Sequence, residues 1–160
     1  MQGFGLGYTT FEFTVLDKHV RCSTQAVVTH RSSYYASGGT EPSPCAYRVR
    51  VANTGSVPSD VVVLGFLNST HAEAPRNKEL FGFARVSMLA PGAMRIVTLS
   101  VPATVLSLVD TLGDERVRAG HYSVQFGVEG SAEGMPELAS LEVDGEDVLI
   151  FSYDKLKREM

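Results

Sequence analysis

Apolar residues in this chain return at every second position, in short runs closed by Gly, Pro, Asn or Asp. Tyr47, Val49 and Val51 alternate with Arg48 and Arg50. Val97, Leu99 and Val101 alternate with Thr98 and Ser100, and Tyr122, Val124, Phe126 and Val128 with Ser123, Gln125 and Glu129. Side chains of an extended strand point to opposite faces in turn, so this period gives each run one apolar and one wet face. A second sheet laid over the apolar faces would bury them. Asn53-Thr54-Gly55, Pro91-Gly92, Ala119-Gly120 and Asp144-Gly145 supply the turns, the last as a hairpin dipeptide between Leu-Glu-Val and Asp-Val-Leu-Ile-Phe. About seven short strands spaced in this way predict an all-β antiparallel sandwich of the immunoglobulin or fibronectin type III class.

Two further runs read as strands: Tyr8 to Leu16, rich in β-branched and aromatic residues, and the short segment Gln25 to Thr29. Residues 29–44 turn to Ser, Gly, Tyr and Pro and read as a long exposed loop. The sandwich is expected over residues 1–152, followed by a short helical tail over 153–160. Val61 to Leu67 breaks the alternation, being apolar almost throughout. A strand of that kind is covered on both sides. One side belongs to the core, and the other, carrying Val62, Leu64 and Phe66, is an expected docking surface. Phe81 and Phe83 put two rings on one face of the following strand, where core or interdomain packing is expected of them rather than a carbohydrate platform.

The composition excludes several functions. At 160 residues the chain fits one domain able to bury roughly 70% of its unfolded surface. Hydrophobic residues make up 44% and charged residues 20%, as in ordinary globular proteins. A net charge of -4 with 14 scattered Lys and Arg offers no concentrated basic face, so nucleic acid is not an expected partner. No run approaches the ~20 apolar residues that span a bilayer, and residues 1–7 lack the charged and apolar pattern of a secretory leader.

Catalytic and ligand signatures are weak. His19, His30, His71 and His121 lack metal-ligand spacing, no Gly-x-Ser-x-Gly elbow occurs, and Gly3 to Gly7 form no phosphate loop. Asp110, Asp114 and Glu115, like Asp144, Glu146 and Asp147, crowd around turns, where solvated acids are the norm. No catalytic residue, cofactor or metal is therefore assigned. Cys22 and Cys45 are too few for a disulfide framework and are either paired, in an oxidising compartment, or two buried thiols. Asn68-Ser69-Thr70 is a glycosylation sequon, meaningful only in a secretory setting.

The serial order Gly-Leu-Gly-Tyr-Thr-Thr-Phe-Glu-Phe (5–13), Val-Arg-Val-Ala-Asn-Thr-Gly (49–55), Lys-Glu-Leu-Phe-Gly-Phe-Ala-Arg-Val (78–86), Leu-Ala-Pro-Gly-Ala-Met-Arg (89–95) and Arg-Ala-Gly-His-Tyr-Ser-Val-Gln-Phe-Gly (118–127) resembles the C-terminal fibronectin type III-like domain of family-three glycoside hydrolases, the β-glucosidases and β-xylosidases. In that family a Ser usually stands where Gly7 stands here. The resemblance implies a nucleophilic Asp on a barrel domain and an acid/base carboxylate on or near an α/β domain, neither within these 160 residues. The chain is thus expected to be a fragment or separate module that stabilises catalytic domains, and secreted or vacuolar if like the family. The other expectations are a structural subunit of some larger assembly and a carbohydrate-binding module. The latter needs an exposed aromatic strip, and the chain has no Trp. By analogy, the loop from His71 to Asn77 would lie near the catalytic domains and approach a sugar; the alternative, preferred on the residues alone, is a variable surface loop.

Overall fold

The computed structural model describes residues 8–36, 43–128 and 137–153. Among them the chain order is β1 (Phe11–Val15), β2 (His19–Ser23), α1 (Thr24–Ala36), β3 (Ala46–Asn53), β4 (Ser59–Ser69), β5 (Glu79–Leu89), β6 (Met94–Ser100), α2 (Ala103–Leu106), β7 (Ser107–Val109), β8 (Glu115–Val117), β9 (Gly120–Val128), β10 (Glu137–Asp144) and β11 (Val148–Phe151). One sheet has the order β1-β3-β6, and the second β2-β10-β9-β4-β5. A third, small sheet runs β11-β8-β7. All pairings are antiparallel except β2 with β10. The molecule is an all-β sandwich of the fibronectin type III-like kind.

The period-two runs face inward as their pattern requires. Tyr47, Val49 and Val51 of β3 share one core with Val61, Val63 and Leu67 of β4, Tyr122, Val124 and Phe126 of β9, and Leu141 and Val143 of β10. The Tyr47 ring crosses between sheets to Phe126, centroid to centroid 5.2 Å, and its hydroxyl donates to the Ser140 carbonyl at 2.9 Å. A buried ring thereby keeps its polar end satisfied. The Tyr122 hydroxyl donates to the Arg118 carbonyl four residues upstream, at 2.8 Å. That bond, at the start of a central strand, is the tyrosine corner of immunoglobulin-like sandwiches, and burial pushes the Tyr122 phenol up to about 12.

Three local expectations are corrected. Gln25 to Thr29 is not a strand, and residues 29–36 of the expected loop are helical, because both lie in α1. The Ser23 hydroxyl accepts the Ala26 N–H at 3.1 Å, an N-cap that opens the helix. Val27, 1% exposed, then buries against the body, with α1 packed on α2, β8 and β11. Packing and the cap override the β preference of Val27, Val28 and Thr29. Residues 37–42 of the expected loop, and 154–160 of the expected tail, lie outside the described residues.

Asp144-Gly145 does not form a hairpin. β10 pairs with β9 and β2 while β11 pairs with β8, so the chain changes sheets there. Gly145, at φ 112°, is the residue that allows the bend.

The third correction concerns Phe81 and Phe83, which face opposite ways. Between β4 and β5 the register runs from Gly65 opposite Gly82 to Phe66 opposite Leu80, leaving Phe81 as an extra residue in a β-bulge. Phe81 turns inward, 7% exposed, and meets Phe126 edge-on at 6.0 Å. Phe83 stays outside at 67% exposed. Of the two places expected for these rings, Phe81 takes the core one.

Candidate docking surface

The side of the five-stranded sheet turned away from the core divides into two halves. Toward β2 it is polar, with His19, Arg21, Ser140, Glu142, Ser123 and His121 paired across neighbouring strands. Toward β5 it is apolar. Val61, Val63, Gly65 and Leu67 of β4 are buried, so Val62, Leu64 and Phe66 point outward, and all three are half-buried by their neighbours. Leu64 stands opposite Phe83 on β5, and Phe66 opposite Leu80, which is 47% exposed. Leu138 on β10, 62% exposed, lies beyond Gln125 on the same sheet.

Charged groups frame this patch. The Lys78 ammonium sits 4.7 Å from the centre of the Phe66 ring and donates to the Gln125 side chain at 3.2 Å. At the other end the Arg85 guanidinium pairs with Asp60, whose carboxylate also accepts the Met88 N–H at 2.7 Å. Those two bonds, the backbone one first, hold the Asp60 carboxyl below its usual range. An exposed apolar centre inside a charged rim is the anatomy of a protein–protein contact.

The acids singled out in the sequence do not converge on a cleft. Asp110 Oδ1 accepts the N–H groups of Leu112 and Asp114, folding the turn before β8, and Arg116 pairs with both Asp110 and Asp114. Glu115 meets Arg31 of α1 at 3.1 Å. Asp147 accepts from Arg118 at 2.7 Å and from the Ala119 N–H at 2.9 Å, while Arg118 also reaches Glu73. Asp144 pairs with the exposed Arg21. Burial would raise the carboxyls of Asp110 and Asp147, but the hydrogen bonds they accept outweigh it and hold both below the usual value. A general acid working near neutrality needs the opposite shift.

The loop from His71 to Asn77 is fastened to this module. The His71 ring lies 5.7 Å from that of Tyr122, and the Glu73 pair with Arg118 holds the loop's middle. A crevice between Leu67, Asn68, Ala74, Pro75 and Leu108 admits no more than a water-sized group. Asn68 itself is exposed at the end of β4. Cys22 and Cys45 form a disulfide, Cα to Cα 5.8 Å, that ties β2 to the entry of β3. Among the described residues no three His, Cys, Asp or Glu side chains come together as metal ligands, and no helix is long and apolar enough to cross a membrane.

Sequence reasoning missed the bulge that separates Phe81 from Phe83. The signal available was Gly65 followed by Phe81-Gly82-Phe83: a strand glycine marks a close approach. A Cβ on Gly65 would stand 2.5 Å from the Phe81 ring.

Residues 62–129 match the family described as fibronectin type III-like domain. The probable exo-1,4-beta-xylosidase bxlB of Aspergillus clavatus is 32% identical over 153 residues, covering 92% of this chain and 19% of that protein. The exo-1,4-beta-xylosidase xlnD of Emericella nidulans is 32% identical over 155 residues, covering 94% and 18%. Among solved structures, a GH3 exo-beta-xylosidase (XlnD) in complex with a xylobiose aziridine probe superposes with a TM-score of 0.73 at 27% identity, over 94% of this chain and 19% of that one. The beta-glucosidase from Kluyveromyces marxianus superposes with 0.66 at 26% identity, over 92% and 15%. The chain thus spans about a fifth of the length of the curated relatives it matches. Residues 62–129 match a fibronectin type III-like domain, and the chain resembles the C-terminal domain of that kind in the family-three β-xylosidases and β-glucosidases.

Proposed function

We propose that this module is a non-catalytic accessory domain that packs on, and stabilises, the catalytic domains of a family-three glycoside hydrolase. The observation that carries the proposal is the apolar half of the outer sheet face, where Phe83 is 67% exposed above half-buried Val62, Leu64 and Phe66. Covering such a face contributes about 25 cal/mol for each Å² of apolar area removed from water. The shortfall in length against the xylosidase relatives supports the same reading, since most of each relative lies beyond the matched part.

Asp110, Asp114, Glu115, Asp144 and Asp147 serve turns and ion pairs, and a retaining glycosidase needs two carboxyl groups about 5 Å apart beside a sugar-sized cleft. The purified chain accordingly has no turnover of aryl β-xylosides or β-glucosides. Hydrolysis that persists through purification and disappears on substitution of Asp110 or Asp147 would refute the accessory role. An isolated chain that binds xylo-oligosaccharides through Phe83 would favour a carbohydrate-binding module instead.

A further inference from the structure

We propose that Asn68 is an N-glycan attachment site. Three observations meet there. Asn68-Ser69-Thr70 is the only Asn-x-Ser/Thr triplet in the chain, because Asn53 is followed by Thr-Gly and Asn77 by Lys-Glu. Asn68 is exposed at the end of β4, and among the described residues no hydrogen bond holds its side-chain amide. Asn53 shows the contrast: it is 1% exposed, and its amide donates to the Val57 and Leu89 carbonyls, leaving no room for a substituent. Independently, the Cys22–Cys45 disulfide fits an oxidising compartment, which in a eukaryotic host is also where the oligosaccharide is transferred.

The donor is a lipid-pyrophosphate-linked oligosaccharide. The Asn68 amide nitrogen forms a bond to the sugar C1, the C1–O bond to pyrophosphate breaks, one amide proton passes to a base of the transferase, and the lipid pyrophosphate leaves. Thr70 supplies the hydroxyl that the transferase reads two positions on. Asn68 lies two residues from Phe66 on the same outward face of β4, so the glycan marks the end of the apolar patch. Its presence does not depend on the accessory role proposed above.

The test is peptide mass spectrometry of the protein secreted by a eukaryotic host, before and after peptide-N-glycosidase. The expected result is conversion of Asn68 to Asp by the enzyme, with the glycan absent from Asn68→Gln and Thr70→Ala, retained in Thr70→Ser, and unaffected by Asn77→Gln. A secreted chain with Cys22 and Cys45 joined and Asn68 bare would overturn the proposal. Free thiols at both cysteines in protein from its native host would overturn it as well, because the compartment argument then fails.

Discussion

Single residues decide where the two aromatic rings of β5 go. Gly65 leaves the space over which the Phe81 ring lies, and that ring in turn fills the core beside Tyr47 and Phe126. Gly65→Ala is expected to cost about 1–3 kcal/mol through overpacking, read as a fall in the denaturant midpoint at unchanged m-value. Midpoint retention would mean that Phe81 can shift without loss. Acid sensitivity is set at the same scale. The side-chain bond from Arg48 holds the Asp17 carboxyl below its ordinary 3.8, and the Met88 N–H and Arg85 do so for Asp60. A depressed folded value means that the unfolded chain takes up protons first as pH falls. Their stabilisation is complete above pH ~4 and is lost on acidification through the lower folded values. Asp17→Asn and Asp60→Asn should each flatten the stability profile below pH ~4. Unaltered acid unfolding in both variants would remove these pairs from the account.

At the scale of elements, the sandwich strands were legible because period two and burial coincide. Tyr47, Val49 and Val51 are wholly buried, as are Val124 and Phe126, and the alternating Arg48 and Arg50 are exposed. The helix α1 was not legible. Its apolar content, Val27 and Val28 beside Thr29, favours a strand locally, and its cap and packing partners come from Ser23, α2, β8 and β11. The exchange of sheets at Gly145 was hidden for a related reason: an Asp-Gly pair specifies a tight bend, while long-range pairing decides which strand comes next. The Cys22–Cys45 bridge encloses α1 within a separation of 23 residues. Closing a loop of that size restricts the unfolded chain by about 3 kcal/mol. Reduction, or Cys22→Ser with Cys45→Ser, should lower stability by that order and raise amide exchange in α1 above that in β3 and β9. Equal exchange in all three elements would show that the bridge does not act locally.

For the whole molecule, the two halves of the outer sheet face differ in character. The polar half, with ion pairs between Arg21 and Glu142 and Asp144, is built for water. The apolar half, centred on Leu64 and Phe83, was partly legible, since Val61 to Leu67 is apolar on both sides and Val62, Leu64 and Phe66 do point outward. That Phe81 and Phe83 part ways was not legible, because a bulge alters which residues share a face. Phe83→Asp removes a ring that the core does not use, so the isolated domain should keep its stability within about 0.5 kcal/mol, while the assembly loses its contact. Hydroxyl-radical footprinting of Phe83, in the isolated chain and in the assembly purified from its native host, tests the docking claim most directly. The account predicts strong labelling of Phe83 in the isolated chain and protection in the assembly, and equal labelling in both would contradict it.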